Sequence, residues 1–330
     1  MCYDLVPAIM RLFTRLLAAA VVLPLLTLAV HHPCFAQSTS ASQNFDSVQT
    51  PSAANQRPLD KLELFALFAA GPVAPYAKQV IQKRGCTFAP DPAFLAAFPV
   101  AGFQEILKNI KPRTSQQPSP DRDAAYELLL PALEATHSRQ FAVSDENYKK
   151  ALKLAPDSAT LHLAYGANFL LVPDGAKAEP EARRALELWP EYAEGHEILC
   201  LALMLQGKVA EAATEAREVL RVFPEHKPAK IQLAISLARN KQCDQAIPAL
   251  RNALAVAPHF PGLHKFLGIC QLQAKQADSA ISELTIYTQE EPTDHEGHYF
   301  LGMALRLAGH EAEAASEFQR ASPLKPPEVQ

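Results

Sequence analysis

The 330-residue chain has no glycine-rich phosphate loop, no G-x-S-x-G turn and no H-E-x-x-H helix. These gaps remove the familiar sequence routes to phosphate cradling, acyl transfer by an elbow serine, and zinc hydrolysis. The nearest approach to a metal helix is "HEGH" at 295–298, whose two histidines stand three apart rather than four. Basic stripes are missing as well. Net charge is −4, and the densest cationic stretch, "KNIKPR" at 108–113, reads as a solvated helix end. Nucleic acid is therefore not an expected partner, and neither a cofactor nor a metal is expected.

Long apolar runs are also scarce. "LLAAAVVLPLLTLAV" at 16–30 is short for a bilayer span and is interrupted by Pro24. Arg11 and Arg15 precede it, and "CFAQ" follows, offering Ala36 before a cleavage point at Gln37. Charge, apolar run and small residue are the parts of an export signal, so residues 1–36 are expected to be removed. The mature chain is then exported, to the periplasm or beyond the cell, with no stable membrane span. Residues 37–58 turn to Ser, Thr, Gln, Asn and Ala without periodicity and read as a disordered linker. Residues 59–111 read as a small helical module. Its first helix covers "LDKLELFALFAA", and its second, "APYAKQVIQKRG", is stopped by Gly85. "DPAFLAAF" and "GFQEILKNI" follow as further short helices, and 112–124 is a second linker.

The rest of the chain is periodic. "KALKLAPD", "RALELWPE", "EVLRVFPE", "NALAVAPH" and "IYTQEEPT" each halt a helix-forming run at a proline. Pro156, Pro190, Pro224, Pro258, Pro292 and Pro326 stand 34 residues apart without slippage. Proline lacks an amide hydrogen and clashes with the preceding turn, so it marks a helix end. A fixed period of this size sets the architecture. With each proline at position 32, the units are 125–158, 159–192, 193–226, 227–260, 261–294 and 295–328. Position 8 holds Ala132, Gly166, Cys200, Ala234, Gly268 and Gly302; position 20 holds Ser144, Ala178, Ala212, Ala246, Ala280 and Ala314. Such short side chains let two antiparallel helices approach closely. Each unit is a helical hairpin that cannot bury its apolar face alone.

On these residues the unit resembles the tetratricopeptide repeat, with Leu-Gly at 7–8, Ala at 20, an aromatic at 24, Ala at 27 and Pro at 32. "LHKFLGICQLQAKQADSAISEL" (263–284) and "GHYFLGMALRLAGHEAEAASEFQRA" (297–321) carry the likeness best. Pro131 at position 7 of the first unit and His at position 4 depart from it. The resemblance implies an all-α fold, a right-handed α-solenoid of six hairpins, and a concave groove that binds other polypeptides. Residues 59–111 resemble a small helical module accompanying such arrays in some exported bacterial proteins. The implied role is a non-enzymatic scaffold or adaptor in the bacterial cell envelope. Self-assembly is one alternative, and an enzyme with an unrecognised site in residues 59–111 is another.

In this family, positions 2, 5, 9 and 12 of the first helix face the groove. Here they include Leu163, Ala167, Leu201, Met204, Ile231, Ile235, Lys265, Ile269, Leu272, Tyr299 and Met303. The family's carboxylate-clamping Lys and Asn are nearly absent, so the expected partner offers an apolar or amphipathic segment rather than an acidic terminus. Permanent cover of this surface by the N-terminal segment, or by tight superhelical closure, is the alternative. His162, His196, His264 and His298 all occupy position 4. Successive repeats place them on the order of 10 Å apart, too far to share zinc, so they are expected to be packing residues with a polar tip. Cys200, at a close-packing position, is expected to be a small buried hydrophobe, and Cys86 has no partner evident from sequence. Cys243, at position 17, and Cys270, at position 10 of the next unit, lie in a register that permits a disulfide. Two separate core thiols are the alternative.

Overall fold

The structure is a computed structural model that describes residues 58–69, 74–90 and 119–321 apart from 261, with isolated residues 92, 94, 107, 108 and 112. The expected signal segment and nearly all of linker 37–58 fall outside the described residues. So do most of "DPAFLAAF" and "GFQEILKNI". Among the described residues the chain is all α, save for one parallel backbone bridge between Leu59 and Cys86. No described helix is long and apolar enough to cross a membrane.

The helices are α1 (Lys61–Ala69), α2 (Ala74–Arg84), α3 (Pro120–His137), α4 (Phe141–Leu154), α5 (Ala159–Leu170), α6 (Gly175–Leu188) and α7 (Ala193–Leu205). They continue as α8 (Val209–Val222), α9 (Lys227–Arg239), α10 (Cys243–Val256), α11 (Leu263–Gln273), α12 (Ala277–Glu290), α13 (His295–Leu307) and α14 (Glu311–Arg320). The second helices begin at residues 141, 175, 209, 243, 277 and 311, in step with the 34-residue period. From α4 to α12 they end two residues before a periodic proline. The turn within the hairpin is also periodic. Position 15 is left-handed at Arg139, Gly207, Lys241, Lys275 and Gly309. The next amide donates five residues back, as in Gln242 N to Leu237 O (3.0 Å) and His310 N to Leu305 O (2.9 Å), which closes the helix end.

Linker 112–124 is shorter than expected. Helix α3 begins at Pro120, because a proline in the first turn has no amide to satisfy and Asp121 and Asp123 favour the positive helix end. Pro131 lies inside α3 without ending it. It is exposed, and the carbonyl it cannot serve belongs to exposed Glu127.

The chain forms two compact units, one ending at Gln206 and the other starting at Gly207, within the third repeat. In each, hairpin partners and successive hairpins pack side by side: α3 to α7 in the first, α8 to α14 in the second. Small residues set the approach. A Cβ on Gly268 would stand 2.5 Å from Leu284 Cγ, and one on Gly302 would stand 2.8 Å from the Phe318 ring. In both cases position 8 is occupied by the large residue at position 24. The architecture is a solenoid of tetratricopeptide-like hairpins.

Candidate functional site: the first-helix faces

In the first unit this face is filled by the chain itself. Helix α1 packs on α3 and α5. Leu62, Leu64, Phe65, Ala66 and Leu67 are all buried. Phe65 meets Tyr126, at position 2 of the first repeat, edge to face at 5.6 Å. Asp60 caps α1 by accepting from the Glu63 amide at 2.8 Å. Backbone bonds from Leu59 N to Gly85 O and from Thr87 N to Leu59 O, both 2.9 Å, tie the start of α1 to the end of α2.

Charges fasten the same helix. Arg122, in the first turn of α3, pairs with Asp60, with Glu63 (3.2 Å) and with Asp157 (2.8 Å). Burial works against its charge, and the three carboxylates outweigh that effect, raising its pKa above the ordinary arginine value. Arg84 donates to Glu63 at 2.8 Å and lies over the Trp189 ring at 5.0 Å. Cys86 is buried beside this junction, and burial pushes its thiol up to about 12, so it is an inert packing residue. Because α1 occupies the face, α5 is buried on all sides apart from the half-buried His162. Leu163 and Ala167 are fully buried, Met204 is buried, and Leu201 is half-buried.

The second unit leaves the equivalent face uncovered among its described residues. Ile231, Ile269, Leu272, Tyr299 and Met303 are half-buried, and Ile235 is 8% exposed. Lys265 departs from its expected role. Its ammonium is buried over the Tyr287 ring and held by Asp294 (2.8 Å) and Glu296. Asp294 also accepts from the Tyr287 hydroxyl. Burial alone would raise the Asp294 carboxyl, but Lys265 and Tyr287 hold it below the usual carboxylate range. Lysine is thus consumed internally, and the open face is chiefly apolar.

Cys243 and Cys270 lie together as a disulfide, with Cα atoms 5.0 Å apart, joining the start of α10 to α11. Cys200 is buried. The position-4 histidines are spread along the repeats, and among the described residues no cluster of three His, Cys, Asp or Glu could hold a metal. The sequence leaves open whether the N-terminal segment covers this surface, and α1 does so on α3 and α5. The Arg122 hub has no signal in the sequence.

Fold and face together define a helical-repeat protein built from tetratricopeptide-like hairpins. Family models described as tetratricopeptide repeat match residues 174–226 and 237–304. Among solved structures, the chain is similar to YrrB, titled a TPR protein with an unusual peptide-binding site. That likeness has 19% identity and a TM-score of 0.48, covering 56% of this chain and 95% of the other. It is also similar to PilW, a type IV pilus biogenesis factor, at 21% identity and TM-score 0.49, covering 61% and 95%. MamA from Desulfovibrio magneticus RS-1 gives 22% identity and TM-score 0.46, covering 50% and 94%. No curated protein matches the chain.

Proposed function

We propose that this protein is an exported interaction scaffold whose second unit binds an apolar or amphipathic polypeptide segment across α9, α11 and α13. The observation carrying this reading is the row of half-buried Ile231, Ile269, Leu272, Tyr299 and Met303 on successive first helices. Burying one such side chain is worth roughly 1.5–3 kcal/mol, so a few contacts hold a helix or strand. The first unit supports the reading by example, since its own first-helix face takes up an apolar helix. Export rests on the charge, apolar run and small-residue site of residues 11–37, which predict a mature start near Gln37.

The test is capture from cell-envelope extract with the mature protein and with an Ile231→Asp, Ile269→Asp variant of unchanged helical content. Loss of the captured proteins is expected. Equal capture by the two proteins would remove this face as the binding site.

A further inference from the structure

The position-4 histidines carry a second regularity. Nineteen residues after His162, His196, His264 and His298 stand Glu181, Glu215, Glu283 and Glu317. The two repeats with Leu128 or Lys230 at position 4 have Asn147 or Ala249 there instead. Histidine and glutamate therefore come and go together within one chain. Geometry explains the pairing. Nδ1 of His162 lies 2.7 Å from Glu181 Oε2, and Nδ1 of His264 and His298 lie 2.6 Å from Glu283 and Glu317 Oε2. Each contact joins the first helix of a hairpin to the second. The other ring nitrogen reaches back to the proline ending the preceding repeat. Nε2 is 3.1 Å from Pro156 O in His162, 3.0 Å from Pro190 O in His196 and 3.1 Å from Pro292 O in His298.

Carboxylates and carbonyls only accept hydrogen bonds. A ring held between the two must donate from both nitrogens, and only the imidazolium does so. A neutral ring would turn a bare lone pair toward one acceptor. We propose that protonated histidines at His162 and His298 rivet the two helices of a hairpin to the preceding repeat, so that folding takes up a proton at each site. His264 shares the carboxylate contact and His196 the carbonyl contact, which extends the device along the repeats.

The rings are sheltered, with side-chain exposures of 13% for His162 and 6% for His298. The charged groups facing His298 across the neighbouring cavity are Glu313, Glu317 and Arg320 of α14; α12 contributes the uncharged Thr285, Thr288 and Gln289. Arg320 lies 3.2 Å from the other oxygen of Glu317 but is largely in solvent, so it competes weakly for that carboxylate. The charged partner of His162 is Glu181 of α6. Histidine in an unfolded chain gives up its proton near pH ~6.5. A rivet therefore contributes in full below that pH, and its contribution is lost as the folded ring in turn gives up its proton.

Nitrogen-15 spectra of the histidine rings in the full chain at pH 7.5 test this directly. Both nitrogens of His162 and His298 should be protonated. A bare nitrogen in either riveted ring would overturn the proposal. Denaturation between pH 6 and 8.5 gives a second readout. His298→Gln and Glu317→Gln should each remove about one proton from the pH slope of stability. Should His298→Gln fold poorly, Glu317→Gln keeps the ring and still reports. An unchanged slope in Glu317→Gln would equally overturn the proposal.

Discussion

Leu170 and Leu272 hold the same place, position 12 of a first helix, yet their surroundings differ. Leu170 is wholly buried in the first unit, while Leu272 remains half-exposed in the second. The repeat itself does not decide this, since both units build hairpins by the same register of small and large residues. What differs is the presence of α1, an apolar helix from outside the repeats, seated on α3 and α5. A repeat array thus presents one kind of face throughout, and its use is set locally by what the remaining chain supplies.

The strongest way to break that difference is Arg122→Ala. It strips Asp60 and Glu63 of the guanidinium that holds the start of α1, although Arg84 still serves Glu63. Asp60 is partly exposed and Glu63 keeps Arg84, so the loss costs about 3 kcal/mol, the low end for a broken buried pair. Hydrogen exchange should show α1 and α5 losing protection while α9 to α14 keep theirs. Equal loss in both units would mean that the cover is not a separate local feature.

The parts legible beforehand were those with short-range causes. Prolines end helices, and glycine at position 8 makes room for position 24, so the hairpins could be placed from the sequence. The seat of α1 depends on contacts over long separations, such as Phe65 with Tyr126 and Asp60 with Arg122, and no period encodes them. The groove positions were read from the family register, which leaves open whether the N-terminal segment covers Leu163 and cannot foresee an acid pair consuming Lys265. The His–Glu pairing was present in the sequence as a 19-residue offset. It was hidden because position 4 was weighed only against metal binding, where the spacing fails.

A smaller effect is expected at Glu194, position 2 of the third repeat and part of the first unit. Both its carboxyl oxygens are buried without a hydrogen-bond partner among the described residues. Burial, with a further push from Glu197, raises this carboxyl well above the ordinary value. A folded-state value above the unfolded one means that the folded form holds an extra proton. Stability is therefore fullest below the unfolded value of ~4.3 and falls as pH rises through the interval above it. Glu194→Gln should stabilise the protein by about 1–3 kcal/mol at pH 8 and leave it little changed at pH 4. Urea denaturation at the two pH values decides it. The same gain at both would assign the effect to packing rather than to the proton.

The smallest effect sharpens the opening contrast. Leu272→Ala removes a side chain already partly in water and should cost about 1 kcal/mol. Leu170→Ala, the same truncation at the same register position, empties a closed site and should cost about 2–5 kcal/mol. Because residue type, helix and position match, the gap between the two measures what the cover adds. That gap should shrink when the pair is repeated in the Arg122→Ala background, where α1 is loosened from α5, the helix that carries Leu170. It should shrink from the opposite side when a bound partner covers Leu272, because truncation there would then cost affinity as well as stability. Equal costs for Leu170→Ala and Leu272→Ala in the unbound protein would show that α1 adds nothing to the burial of the first unit's face.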